Sequence, residues 1–202
     1  VEAYPEQVVL VRTVSDLSDL DGARDEGKIA VLMGANRSDW FGDGPGVLRM
    51  FARLGLRMIT LGQATRELGW DASNETRSGG RMTELGVRLI EEMNAAGILI
   101  DLAHSNDPCA LDIIEVSEKP VVDSHSNPRA LAGDLRAAPD EVMRALPARG
   151  GVLGIPPSIT RPQGVTPYQA VDSQQLEQTL QQLRYAIDVM GVEGVGTGTH
   201  FN

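Results

Sequence analysis

Three residues hold most of the chemistry this sequence offers. They are His104, His125 and His200, the only histidines in the chain, and each closes a short apolar run: "ILIDLAH" (98–104), "PVVDSH" (120–125) and "GVGTGTH" (194–200). A packed, hydrogen-bonded histidine is the plain reading of any one of them. Three on strand ends of the same sense favour convergence, because imidazoles from neighbouring strand ends can reach one metal ion. Asp123 stands two residues before His125, so on a strand both side chains point the same way, as a D-x-H ligand pair or as a carboxylate that orients the ring. Asp101, three before His104, reads instead as a helix-facing salt-bridge partner. A hard divalent ion held here would activate water and polarise a carbonyl or phosphoryl oxygen, which is hydrolase chemistry. Ser105, Ser124 and Ser126 flank the histidines, but no G-x-S-x-G elbow is present, which weighs against a serine triad. Cys109 falls inside a helical pattern and reads as a small core residue.

The elements that must position these groups follow from periodicity. Six short apolar runs recur at Lys28–Gly34, Arg57–Gly62, Ile98–His104, Pro120–His125, Gly151–Pro156 and Gly194–His200, each of strand length and poor in charge. Such runs suit strands buried on both faces of a parallel sheet. Helical patterns lie between them at Pro45–Leu54, Arg81–Ala96, Asn106–Glu118, Pro139–Ala148 and Asp172–Met190, with Thr83 as an N-cap and Gly55, Gly97 and Gly191 as stops. The opening segment, Tyr4 to Glu26, reads as a helix or a pair of helices. Strand and helix alternating with short connections mean βαβ units and a parallel sheet. "GANRSDWFGDGPG" is glycine-rich, yet it fits neither G-x-G-x-x-G nor the P-loop and carries Asp39 and Asp43. That leaves a (β/α) barrel, whose active site is built at the C-terminal ends of its strands.

Composition sets the outer limits. The chain has 202 residues, 42% hydrophobic and 23% charged, with a formal charge of -10, so one sizeable core is expected and a nucleic-acid partner is not. A single cysteine excludes an internal disulfide framework. No run reaches the roughly 18 apolar residues of a membrane span, and no signal peptide heads the sequence. Compartment stays open, with a soluble cytoplasmic chain slightly favoured.

Taken in order, "GKIAVLMG", "GVLRMFARLGLRMITL", "LIEEMNAAGILIDLAHSND", "KPVVDSHSNPRAL", "LRAAPDEVMRAL", "GGVLGI" and "VGTGTHFN" resemble the membrane (renal-type) dipeptidase family of zinc peptidases. These are (β/α)8 TIM barrels with a two-metal site. The resemblance implies zinc as cofactor, one or two ions, and a dipeptide or small amide as substrate. It places His104 and His125 as the two histidines that bind one zinc, and Arg136 as the arginine that contacts the substrate carboxylate. It also exposes departures. No H-x-D precedes the first run, the glutamate expected to bridge the metals falls at Asn36, and the histidine expected after "TLG" is Gln63. Aspartates of the family's S-D-F-D run fall at His200 and Asn202. Two of five main ligands remain, and a neutral amide bridges two cations poorly. His200 as a third imidazole would give a mononuclear site for an amide or lactone hydrolase.

The expectation is therefore one (β/α) barrel domain over 1–202, with about six of eight strand-helix units, incomplete at both ends. Its open edges would pair with another copy or with further chain. Function divides between metal-dependent dipeptide hydrolysis with a depleted site, an inactive homologue serving as a scaffold, and the three-histidine hydrolase.

Overall fold

The computed structural model describes residues 4–18, 22, 25–42, 44–63, 65–75, 77, 79–157 and 173–198. His200 and Asn202 lie outside them, as do the predicted strand's last two residues. Among the described residues eight strands occur: β1 (Val8–Val11), β2 (Ile29–Leu32), β3 (Gly34–Asn36), β4 (Met58–Thr60), β5 (Leu99–Asp101), β6 (Val122–Asp123), β7 (Val152–Ile155) and β8 (Val195–Thr197). The helices are α1 (Val14–Ser18), α2 (Pro45–Leu54), α3 (Glu84–Ala96), α4 (Asp107–Val116), α5 (Arg129–Ala132), α6 (Asp140–Ala148) and α7 (Ser173–Met190).

Strands β3 to β8 form one parallel sheet in chain order, while β1 and β2 form a separate parallel pair. Each step along the larger sheet is crossed by at least one helix, as parallel neighbours require. This is TIM-barrel architecture, partial and not closed: among the described residues, no strand pairs with the outer edge of β3 or of β8. Register aligns the strand ends, with Asn36 opposite Thr60 and Thr60 opposite Asp101. The chemistry-bearing residues thus share one rim.

Local sequence explains the helix ends. Thr83 Oγ1 accepts from Gly86 N at 3.1 Å to start α3, and Asn106 Oδ1 accepts from Cys109 N at 3.0 Å to start α4, with Pro108 in its first turn. Gly97 closes α3 with φ 68°, a left-handed turn that needs no Cβ. The core lies between sheet and helices. Ile59, Leu61, Ile100 and Leu153 meet Leu89, Ile90, Met93, Ile113, Met143 and Leu146, all fully buried. Burying each such side chain stabilises the fold by about 1.5–3 kcal/mol before conformational entropy is set against it.

Two expectations fail. Residues 4–26 open on a strand instead of a helix: "VVLV" is β1, because a β-branched run outweighs a weak amphipathic pattern, and helix follows at Val14–Ser18 and at residues 22 and 25. The run Lys28–Gly34 is not one strand buried on both faces. It divides at Met33, whose carbonyl accepts from Arg57 N at 2.8 Å. Its first part, β2, pairs with β1 and is exposed along its whole length, with Ile29 at 66%, and only Gly34–Asn36 enters the main sheet. Among the described residues, no helix is long and apolar enough to cross a membrane.

Candidate active site at the strand ends

Strand β5 ends at Asp101 and β6 at Asp123, so His104 and His125 stand in the loops just beyond them. The loops bring the rings together, with Nε2 of His104 3.2 Å from Nε2 of His125. His104 has φ 69°, a left-handed backbone that costs a non-glycine residue about 1–2 kcal/mol. Its surroundings hold it there. His104 O accepts from Ser73 N at 2.7 Å, Ser105 N donates to Leu102 O at 2.8 Å, and Ala72 bridges Ser105. Gly62 passes so close that a Cβ on it would lie 3.2 Å from His104 O. The 71–73 segment is itself anchored by Asp71, buried, which accepts from both Arg66 Nε and Arg66 Nη2 and from Gly80 N.

Arg136 completes the group. Its Nε lies 3.3 Å from His104 Nδ1 and its Nη2 3.2 Å from His104 Nε2. Arg129 positions the loop that bears it, donating to Leu135 O at 3.0 Å and to Ala137 O at 2.7 Å while paired with Asp107 at the start of α4. Asp134 Oδ1 accepts from Ala137 N at 2.9 Å and tightens the same turn.

One carboxylate differs from the sequence reading. Asp101 is no helix-facing salt-bridge partner: it is wholly buried and meets hydroxyls and amides of neighbouring strands. Thr60 Oγ1 and Ser124 Oγ each donate to its Oδ2 at 2.6 Å, and Ser124 Oγ is also 2.6 Å from His125 Nδ1. Asp123 ends β6 and is buried. It lines a small cavity with His104, Ser126 and Arg136, and His125 is not part of that wall. Burial, and then the nearby charge of Asp101, push its carboxyl up to about 7, and its Oδ1 has no hydrogen-bond partner. Cys109 is buried and free, its thiol pushed up to about 11 by burial, in keeping with a core residue.

Two nitrogens on one tetrahedral zinc, each about 2.0–2.1 Å from the metal, sit about 3.3 Å apart. The His104–His125 pair fits that edge, so it suits one ion. Among the described residues, no three His, Cys, Asp or Glu side chains gather at ligating distance. Asn36 ends β3 on the same rim, and Gln63 is half-buried past the end of β4.

Spacing alone marks neither Arg129 nor the Ser73 amide as part of this site. Gly154 and Gly198, in contrast, stand in quoted motifs as small residues. A Cβ on either would collide with the carbonyl of Ser124, so their absence of side chain lets β7 and the end of β8 close on the histidine loop.

Comparison with known proteins agrees with this architecture. A dipeptidase of Clonostachys rogersoniana, verJ, is 30% identical over 203 residues, covering 100% of this chain and 50% of its own length. The chain thus spans about half of that relative. An amidohydrolase from Pseudomonas aeruginosa superposes with TM-score 0.84 at 25% identity, over 100% of this chain and 58% of its own. A metallopeptidase from Rhodobacter sphaeroides, solved with a phosphinate mimic of the dipeptide L-Ala-D-Ala, superposes with TM-score 0.82 at 22% identity, over 99% and 57%. A family model for membrane dipeptidase, Peptidase family M19, matches residues 1–202. The chain belongs to the membrane dipeptidase family of metallopeptidases, Peptidase family M19.

Proposed function

We propose that this chain acts on the amide bond of a dipeptide with a single divalent metal ion, zinc by family, held by His104 and His125. The observation that carries this reading is the 3.2 Å separation of the two Nε2 atoms with the Arg136 guanidinium beside them. When bound, such an ion polarises the scissile carbonyl and activates water. Arg136 supplies the anchor for the substrate's terminal carboxylate, since a guanidinium matches a carboxylate with two parallel N–H donors. To do so it must leave His104, and Arg129 keeps its loop in reach during that exchange. Asp123 adds a buried carboxyl to the cavity wall beside Arg136.

A second reading has its own observation. Asn36 and Gln63 stand where the resemblance puts two ligands, and a homologue without turnover would retain the barrel as a scaffold. His200 remains the candidate third imidazole of a mononuclear site.

Metal content after purification, with dipeptide hydrolysis measured before and after zinc addition, separates these readings. One zinc per chain, lost on His104→Ala plus His125→Ala, with hydrolysis whose KM rises about 10-fold or more in Arg136→Met, is the expected result. Two ions per chain would refute the one-metal site. No ion and no turnover in a folded protein would establish the scaffold. Loss of the ion on His200→Gln would identify the third ligand.

A further inference from the structure

We infer that Asp101 and Ser124 are positioning residues that hold His125 in the tautomer with its proton on Nδ1, so that the Nε2 lone pair is what His125 presents at the site. The inference rests on the reading of His125 as a ligand and adds the groups that ready it. It follows from counting donors. Asp101 is completely buried between the ends of β4 and β6. Its Oδ1 accepts from Ala103 N at 3.1 Å and from Ser124 N at 2.9 Å, and backbone amides can only donate. Its Oδ2 faces the hydroxyls of Thr60 and Ser124, each at 2.6 Å. Four neighbours thus fill the acceptor positions of one carboxylate. Ser124 has one hydroxyl proton, and it points to Asp101. Only lone pairs of Ser124 Oγ remain for His125 Nδ1, 2.6 Å away, so that nitrogen carries the hydrogen. A neutral imidazole has one N–H, and Nε2 is then bare where it faces His104.

A metal takes a histidine nitrogen only when that nitrogen is unprotonated. The Asp101–Ser124 pair therefore selects the binding atom before any ion arrives, and it does so through a hydroxyl interposed between carboxylate and ring. Ser124 is itself fixed from behind, because Gly154 and Gly198 pack against its carbonyl. Thr60 donates to the same Oδ2 from the other neighbouring strand, which makes it an internal control.

The test is a long-range proton–nitrogen correlation spectrum of the histidine rings in the metal-free full chain, at a pH where the rings are neutral. The expected His125 pattern is a protonated Nδ1 and a bare Nε2; the reverse pattern overturns the inference. In Asp101→Asn the new amide can donate to Ser124 Oγ and turn the hydroxyl toward Nδ1, moving the ring proton to Nε2. An unchanged tautomer in the folded variant would refute the role, since loss of a merely structural carboxylate lowers stability and leaves the ring proton in place. Should that variant fail to fold, Ser124→Ala removes the acceptor directly, and retention of a pure Nδ1–H tautomer there counts equally against it. Thr60→Val is expected to leave the tautomer as in the parent, and a switch would remove Ser124 as the link. Zinc titration of Ser124→Ala is expected to show affinity about 10–100-fold weaker, and undiminished affinity would deny that the tautomer matters to the ion. A parent chain with the Nδ1–H tautomer that takes up no zinc sinks the metal reading and leaves the positioning intact.

Discussion

At the scale of single residues, charge and burial act in pairs. Asp112, nearly buried on α4, accepts from Arg81 Nε at 3.1 Å and from Met82 N at 3.1 Å, and the Arg81 guanidinium holds its carboxyl below the usual range. A folded-state value below the unfolded one, about 3.9, means that the folded chain binds fewer protons than the unfolded chain in acid. The stabilisation is therefore complete above the unfolded value, declines once the pH falls below it, and is lost as the pH passes the lower folded value. Asp112→Asn is expected to lower stability at pH 7 by about 1–3 kcal/mol, with the gap to the parent shrinking at pH 3. Urea unfolding at both pH values checks this, and an equal gap at each would show that the ion pair contributes nothing. The same scale shows what the sequence made legible. His104, His125 and Arg136 were marked by motif, and the fold brings them together. Asp101 was misread because spacing places a side chain relative to its own strand and says nothing of Thr60 and Ser124 on the strands beside it.

At the scale of elements, helices were legible and strand ends less so. α2, α3, α4, α6 and α7 follow the apolar periodicity, with Thr83 and Asn106 capping two of the starts and Gly55, Gly97 and Gly191 standing at three of the ends. β1 and the split at Met33 depend on pairing between segments about twenty residues apart, a relation that no local pattern contains. Close approach of elements at the site yields a sharper expectation. In Gly154→Ala the added methyl would meet the Ser124 carbonyl and lie 3.1 Å from Gly198 Cα. Overpacking of this kind costs about 1–3 kcal/mol and would shift the Ser124–His125 turn, visible as a change in the His125 ring signals. Gly196→Ala places its methyl only 3.6 Å from Val152, an ordinary contact. It is expected to leave both stability and those signals close to the parent, and equal damage from the two substitutions would remove the packing explanation.

At the scale of the molecule, stability is uneven. The β4–β7 centre carries the buried core, whereas β2 is exposed on every residue and, among the described residues, pairs only with β1. Native-state hydrogen exchange is expected to release Ile29 N, bonded to Gln7 O, long before Leu99 N, bonded to Arg57 O, or Leu102 N, bonded to Val122 O. Matching exchange rates at these sites would mean that the small sheet opens only with the whole. Chain order along the larger sheet has one more consequence, which concerns time. His104 and His125 are separated by 21 residues, and the consecutive elements β5, α4 and β6 carry them both. Closing so short a loop carries little entropic cost compared with bringing distant segments together. During refolding, or as the chain leaves the ribosome, the two imidazoles can meet before α7 and β8 have docked, and later segments then settle on a rim whose histidine pair is already assembled.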